Sequence, residues 1–261
     1  MKQERGFILL FGFIFMIFLL FGFFVQSVYF KKALPYEITP PEIEENIAPV
    51  FFMIMVGVST IIFILLIKYK LMLVWKVWLI IALTICAGIS ISIFISQELA
   101  FLSAFLMALL FLKEDDLYLK NIFSMFCFAG VSAIFIPIFS IYSIIILLIL
   151  ISIYDVFSVY ISGHMKKIAK EQEKEKLFLG LIVEKNGEIM GLGGGDIVLP
   201  IIFAGTAGRI NMVLGYMSIY GAVFGLILLS YFGQKKKMYP AMPAISAGIL
   251  IFYSLSSLLL K

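Results

Sequence analysis

Histidine, cysteine and charge are all scarce in this sequence. Among its 261 residues there are one histidine and two cysteines, and only 14% of the residues are charged. Cys86 and Cys127 both lie within apolar runs, which argues against a disulfide framework and against a zinc site. The formal net charge of +4 does not indicate a nucleic-acid-binding protein, because the basic residues are confined to short gaps between apolar runs.

Apolar residues dominate the chain instead. They make up 63% of the sequence, and the mean hydropathy is +1.12, more than the core of a soluble protein of this size requires. A membrane-spanning helix needs about 20 apolar residues. The sequence therefore predicts an all-α polytopic membrane protein, a single membrane domain over residues 1–261 with nine transmembrane helices. The predicted helices are at about 6–30, 47–67, 72–96, 98–112, 119–138, 140–162, 194–208, 210–232 and 240–260, of which the fourth and seventh are the shortest.

Lysine and arginine are distributed unevenly between the two sides that this topology defines. Short cytoplasmic segments of membrane proteins are enriched in these two residues. If the N-terminus is cytoplasmic, sixteen of the twenty fall in cytoplasmic segments, and only Lys31, Lys32, Arg209 and Lys261 fall outside. The count predicts a multi-pass protein of the cell membrane, with a cytoplasmic N-terminus and an extracytoplasmic C-terminus.

Two segments are too polar to span a membrane. Residues 31–46 carry three prolines and four glutamates and are expected to form an external loop with at most a short helix. Residues 163–192 form the longest cytoplasmic stretch, and its charged run HMKKIAKEQEKEK is interpreted as a solvated extension of the sixth helix. Further on, two apolar runs flank Asn186-Gly187, residues that tolerate the positive φ of a type I′ turn. They predict a small β-hairpin before the seventh helix, with an irregular connector as the alternative.

Two aspartates lie within predicted spanning helices. Asp155 is near the end of the sixth helix, and Asp196 follows three consecutive glycines at the start of the seventh. The topology therefore places both at a similar depth, in the cytoplasmic half of the membrane. An ionisable side chain at the centre of a spanning helix costs about 2.5–3.5 kcal/mol, so residues of this kind mark functional sites by default.

A pair of carboxyl groups can act as the acid and the base of a hydrolysis. Two of them close together in low dielectric cannot both ionise comfortably, so one keeps a proton. The ionised member can take a proton from water while the protonated member polarises the scissile carbonyl, so no metal or other cofactor is required. With His164 as the only histidine and no thiol nearby, a catalytic triad or a zinc peptidase is poorly supported.

Three motifs in the second half of the chain carry a resemblance to a known family. Tyr154-Asp155, Gly193-Gly194-Gly195-Asp196 and Pro240-Ala241-Met242-Pro243 resemble the YD, GxGD and PAL motifs of the presenilin and signal peptide peptidase intramembrane aspartyl proteases. The string YDVFSVYISGHM is most similar to the archaeal-type presenilin homologues. Met242 replaces the usual leucine, which is a volume-conserving change. The cytoplasmic loop lacks the long insert that eukaryotic presenilins cleave in maturing, so a single active chain is expected.

The resemblance implies a presenilin-like fold and an intramembrane aspartic endopeptidase that hydrolyses transmembrane helices of membrane-protein substrates. Asp155 and Asp196 are implied as the catalytic pair, in helices within residues 139–261 that follow the N-terminal helices of residues 1–138. A substrate helix must be unwound before cleavage, and its backbone then needs hydrogen-bond partners. We expect these from the hairpin at about 177–192 and from the segment around Pro240. The residues implied in positioning the substrate are Tyr154, Gly193, Gly194, Gly195, Pro240, Ala241 and Met242.

Two other functions would use the same aspartates. A proton- or cation-coupled transporter or channel would be expected to have internal repeats with matching broken helices, and the GGGD segment has no counterpart in residues 1–130. A prepilin-peptidase-like enzyme also uses a GxGD motif, but it would be expected to have a different helix count and no PAL-like segment. A purely structural membrane protein gives no reason for two intramembrane acids.

Overall fold

The computed structural model describes residues 4–162, 177–233 and 239–260. Within these residues the chain forms nine α-helices and one two-stranded antiparallel sheet, so the predicted fold class is confirmed. The charged run that begins at His164 lies outside the described residues. In chain order the elements are α1 (Arg5–Tyr29), α2 (Ala48–Lys68), α3 (Met72–Ile91), α4 (Gln97–Lys113), α5 (Leu117–Phe135), α6 (Ile141–Val156), β1 (Gly180–Lys185), β2 (Glu188–Gly193), α7 (Gly194–Ile210), α8 (Met212–Phe232) and α9 (Met242–Leu259).

The helix lengths fit a multi-pass membrane protein. Counted together with the 3₁₀ turn that continues α5 and the π-helical turn that continues α6, seven helices among the described residues are long and apolar enough to cross a membrane, while α4 and α7, with 17 residues each, are shorter. These two are the fourth and seventh helices, which the sequence also predicts to be the shortest. The loop predicted to be external contains a 3₁₀ helix at Pro35–Glu37, and a π-helical segment, Phe157–Ser162, extends α6.

Several predicted boundaries differ from the structure, and two of them have a visible local cause. Helix α3 ends at Ile91 instead of residue 96, at a point where the hydroxyls of Tyr29 and Ser92 both donate to the carbonyl of Ile89, each at 2.8 Å. Helix α9 begins at Met242 instead of residue 240, with Pro243 in its first turn. Proline has no N–H to donate and is favoured in the first turn of a helix, which explains this later start.

Helix α7 lies in the centre of the bundle. Nearly every residue from Ile197 to Gly208 is buried, and its small residues allow the neighbouring helices to approach closely. A side chain at Gly208, for example, would overlap the ring of Phe23 on α1, at 2.5 Å. By contrast, α2 buries only Ala48, Pro49 and Phe63. The start of α7, which carries Asp196, is therefore held by the core, whereas α2 lies at the periphery.

The hairpin is confirmed where the sequence predicts it. Its turn residues have the positive φ of a type I′ turn, 53° at Asn186 and 76° at Gly187. The strands pair from Gly180 opposite Gly193 to Lys185 opposite Glu188. One face of the hairpin packs into the core through four buried side chains, Leu181, Val183, Met190 and Leu192. The hairpin is therefore anchored to the bundle and leads directly into α7.

Candidate active site

Asp155 is held near the end of α6. It is the last residue but one of that helix, and its side chain is only 9% exposed. The backbone N–H of Met242, the first residue of α9, donates to Asp155 Oδ2 at 3.1 Å. The hydroxyl of buried Ser158 donates to the carbonyl of Asp155 at 3.0 Å. The first bond holds the carboxyl group against the start of α9, whereas the second is made to the backbone of Asp155.

Asp196 occupies the first turn of α7, as the sequence predicts. It is the third residue of the helix, after the N-cap Gly193, and it is half-buried. The first backbone N–H groups of a helix have no partner within it, and they create a favourable environment for a carboxylate. The position of Asp196 therefore follows from where the helix begins.

The two carboxyl groups line one cavity. It has a volume of about 260 Å³, several times the roughly 30 Å³ that one water molecule takes up in the liquid. Apart from Tyr154 and the two aspartates, every residue that lines it is apolar. The cavity is lined by Phe52 and Val56 of α2; Val131 and Phe135 of α5; Leu147, Ile151, Tyr154 and Asp155 of α6; Gly195, Asp196, Val198, Leu199 and Ile202 of α7; and Met242 of α9. Electrostatic interactions inside such an apolar site are stronger than in water.

The three glycines differ in what surrounds them. Gly194 and Gly195 are the first two residues of α7 and take up the helical conformation, although three successive glycines are a poor helix-forming sequence. A side chain at Gly194 would lie 2.7 Å from the ring of Phe128, whereas one at Gly195 would meet nothing within 4 Å. Gly194 thus allows close packing, and Gly195 leaves the cavity open beside Asp196.

Residues 240–243, the PAMP segment, lie against the site. Pro240, Ala241 and Met242 are all buried, but of the three only Met242 lines the cavity. One turn further from the site, the hydroxyl of Ser152 on α6 donates to that of Ser246 on α9 at 3.1 Å. Helices α6 and α9 are therefore joined by two hydrogen bonds about one helical turn apart, one at Asp155 and one at Ser152.

The two edges of the hairpin have different surroundings. The side chain of Asn121 on α5 bonds both backbone groups of Ile182, which shows that these groups point away from β2. Hydrogen-bonded and non-bonded pairs alternate along an antiparallel ladder. It follows that the backbone groups of Ile189, Gly191 and Gly193 point away from β1, because these residues pair with Glu184, Ile182 and Gly180. This outer edge of β2 runs directly towards Asp196.

A second cavity lies at the opposite ends of α6 and α7. It is larger, about 680 Å³, and is lined by polar residues that include Glu45, Ser140 and Arg209. Glu45 is the only carboxylate among its lining residues, so this cavity does not bring two carboxyl groups together. Of these two cavities, the first is the one lined by two carboxyl groups.

The fold matches solved structures over nearly its whole length. Two solved structures, each of a presenilin family intramembrane aspartate protease, are similar to this chain. One has a TM-score of 0.67 at 16% identity, covering 96% of this chain and 95% of the other. The second has a TM-score of 0.69 at 18% identity, covering 94% and 96%. At these identities the likeness shows a presenilin-like fold.

The family follows from the sequence match. A profile of the family described as signal-peptide peptidase, presenilin aspartyl protease matches residues 13–190, and the chain belongs to this family. The protein is therefore an intramembrane aspartyl protease by family, and the resemblance inferred from the three motifs is confirmed. The matched range includes Asp155 and ends before Asp196. No curated protein matches the chain.

The sequence alone does not reveal the apolar wall of the site, nor that Asn121 flanks the hairpin. Phe52, Val56 and Val131 belong to long apolar runs, and nothing in those runs distinguishes a cavity-facing side chain from a lipid-facing one. Asn121 lies close to the start of α5, where a polar residue also fits a helix end at the membrane surface. Only the spatial proximity to β1 reveals its two bonds.

Proposed function

We propose that this protein cleaves peptide bonds within or near the transmembrane helices of membrane-protein substrates, using Asp155 and Asp196 to activate water. One observation carries the proposal: two carboxyl groups from adjacent helices of a membrane bundle line a single, otherwise apolar cavity. The family gives the reaction class. Gly195, Asp196 and Met242, which belong to two of the three motifs, also line this cavity and support the proposal.

The reaction requires that Asp155 and Asp196 together hold one proton, so that one carboxyl group is ionised and the other is protonated. The ionised carboxyl group accepts a proton from water, whose oxygen attacks the scissile carbonyl carbon. The protonated carboxyl group donates to the carbonyl oxygen, which gives a neutral tetrahedral diol. When the C–N bond breaks, the carboxyl group that took the water proton donates a proton to the leaving nitrogen, and the other carboxyl group, now ionised, takes a proton from a diol hydroxyl. The products are a carboxylic acid and an amine, and the pair again shares one proton. No covalent enzyme intermediate forms.

The outer edge of β2 supports the binding of an extended substrate. An unwound peptide in an apolar environment needs partners for its backbone groups, each of which costs several kcal/mol if left unsatisfied. Ile189 and Gly191 offer N–H and C=O groups on that edge, and both residues are exposed. A substrate strand added there extends alongside the residues that lead to Asp196. Tyr154, Gly195 and Met242 then contact the scissile region from the cavity wall.

We place the hairpin end of the bundle in the cytoplasm. Sixteen of the twenty lysines and arginines fall on that side of the nine-helix topology. The site then lies in the cytoplasmic half of the cell membrane, and its substrates are single- or multi-span proteins of the same bilayer.

The function is tested by cleavage in a defined membrane. The protein is reconstituted into liposomes with a reporter that has one transmembrane helix, and the products are identified by mass spectrometry. We expect a single new pair of ends within the apolar segment of the reporter. No product, or cleavage only in the reporter's soluble part, would contradict the proposal.

The role of the hairpin is tested separately by removing its turn. Deletion of Asn186 and Gly187 is expected to abolish cleavage while the protein keeps its monodisperse elution and thermal transition, because the β2 edge loses its position beside Asp196. Undiminished cleavage would refute substrate pairing at this hairpin and would leave the assignment of the aspartates intact.

A further inference from the structure

Asn121 occupies the outer edge of β1 as a neighbouring strand would. Its Nδ2 donates to the carbonyl of Ile182 at 2.6 Å, and the N–H of Ile182 donates to its Oδ1 at 2.9 Å. A strand that paired with β1 at this point would form the same two bonds with its own backbone. The edge is therefore already satisfied at the middle of β1.

The rest of the β1 edge is also close to the bundle. Asn121 is in the first turns of α5, and α1 also contacts β1, with a side chain at Gly6 lying 4.0 Å from Nζ of Lys185. On the outer edge of β2, the backbone of Gly193 bonds the carboxyl group of Asp196, but among the described residues no side chain bonds the backbone of Ile189 or Gly191. The hairpin thus has one closed edge and one open edge.

Exposed strand edges pair with other extended chains, and proteins commonly block the edges that should not pair. Strands in a sheet are about 4.8 Å apart. A substrate on the wrong edge of this hairpin would be three strand intervals, about 14 Å, from one on the β2 edge. No movement of an aspartate side chain spans that distance. Choice of edge therefore decides whether a bound substrate can be cleaved.

We propose that Asn121 is a positioning residue that closes the β1 edge and so directs extended substrates to the β2 edge, beside Asp196. The inference rests on the proposed protease function and identifies how its substrate is placed. Asparagine suits this role because its amide has both a donor and an acceptor in a flat group, like the peptide group it replaces. Leucine has neither, and aspartate lacks the donor.

The hairpin provides a matched pair of positions for a test. Glu184 on β1 and Ile189 on β2 are direct cross-strand partners, and both side chains are exposed. Each is changed in turn, Glu184→Cys or Ile189→Cys, in an Asp155→Asn background that is expected to leave substrate uncut. A reporter with one cysteine in its transmembrane segment is then cross-linked to either position with a short thiol reagent in liposomes.

With Asn121 present, we expect cross-linking at Ile189→Cys to exceed that at Glu184→Cys at least tenfold. Asn121→Leu is expected to bring the two yields to within about threefold of each other, and Asn121→Asp to give an intermediate ratio. In the active protein, Asn121→Leu is expected to lower kcat/KM severalfold. If Asn121→Leu does not fold, Asn121→Asp carries the same comparison, because it keeps the acceptor for the Ile182 N–H.

The control is Asn211→Leu. Asn211 also bonds a backbone N–H, that of Val213 at 2.9 Å, but it caps α8 far from the hairpin. Its replacement is expected to lower thermal stability without changing the cross-linking ratio. An equal yield at both positions with Asn121 in place, or a ratio unaffected by Asn121→Leu, would overturn the proposal. If the protein with both aspartates intact does not cleave the reporter at all, the proposed function itself fails.

Discussion

At the scale of single residues, two adjacent glycines have different surroundings. Gly194 and Gly195 are adjacent, both are helical, and both belong to the GGGD motif. Gly194 faces the buried ring of Phe128, on the side where α5 packs against α7. Gly195 faces the cavity that holds both aspartates. The motif therefore needs a glycine at position 194 so that the helices can pack, and a glycine at position 195 so that the cavity stays open beside the aspartates.

This difference predicts opposite effects for the same substitution. Gly194→Ala is expected to destabilise the protein by about 1–3 kcal/mol, because the new methyl group would lie 2.7 Å from Phe128 Cε1 and overpack the core. Gly195→Ala is expected to leave stability unchanged or slightly increased, since alanine favours helix and meets nothing within 4 Å. Thermal or denaturant unfolding in detergent measures both.

Cleavage assays complete the comparison. Gly195→Ala places a methyl group at the cavity beside Asp196, so its activity should fall although its stability does not. Equal stability of the two variants would show that Phe128 does not constrain position 194.

At the scale of elements, α9 is placed by close contact with α8. Gly221 and Gly225 are four residues apart on α8, and they face Gly248 and Ala244 of α9. A side chain on either α8 glycine would overlap the backbone of α9. Small residues at this spacing allow membrane helices to approach until their backbones touch. Because α9 begins with Met242, which bonds Asp155, this contact also sets the geometry of the site.

Enlarging one of these glycines should therefore affect both stability and activity. Gly225→Ala is expected to destabilise by about 2–3 kcal/mol, since its methyl group would overlap the carbonyl of Ala244 and lie 3.1 Å from the Cα of Ile245. Cleavage should fall with it, because Met242 shifts relative to Asp155.

The matched control is Gly57→Ala on α2. A side chain there meets nothing within 4 Å, so the same change should cost no stability. A Gly225→Ala variant as stable as Gly57→Ala would mean that α8 and α9 do not touch at these residues.

The sequence predicts these elements better than their contacts. Apolar runs of about 20 residues reveal the helices, and Asn186-Gly187 reveals the hairpin, because both signals are local. Both aspartates could also be predicted, since a carboxyl group in an apolar run is conspicuous. The cavity wall from α2 and α5, the α8–α9 contact and the bonds of Asn121 join residues far apart in the chain, and no local pattern records them.

At the scale of the whole molecule, the site lies at one end of the bundle. The starts of α5 and α7 lie at the same end as the hairpin, and the end of α6 meets them there. The external loop and the larger cavity, lined by Glu45 and Arg209, lie at the other end. We propose that a substrate helix is cut near this face of the membrane and that this face is cytoplasmic.

The proposed orientation predicts which residues a membrane-impermeant thiol reagent can reach. Thr39→Cys in the external loop should be labelled in intact cells, and Lys185→Cys in the hairpin only after the membrane is permeabilised. Both native side chains are exposed. The unsubstituted protein gives the background from Cys86 and Cys127, which are half-buried and buried. If Lys185→Cys but not Thr39→Cys is labelled in intact cells, the protein has the opposite orientation to the one proposed.

The most direct measurement compares reporter cleavage in liposomes by the wild type with that by Asp155→Asn and by Asp196→Asn. Asparagine keeps the shape of each side chain and removes its titratable proton, so each change should lower the rate at least about a hundredfold while leaving the protein folded. Asp116→Asn is the matched control: Asp116 caps α5 outside the cavity, and asparagine caps a helix equally well, so this variant should keep the wild-type rate. Wild-type cleavage by either Asp155→Asn or Asp196→Asn would contradict the assignment of these two residues as the catalytic pair.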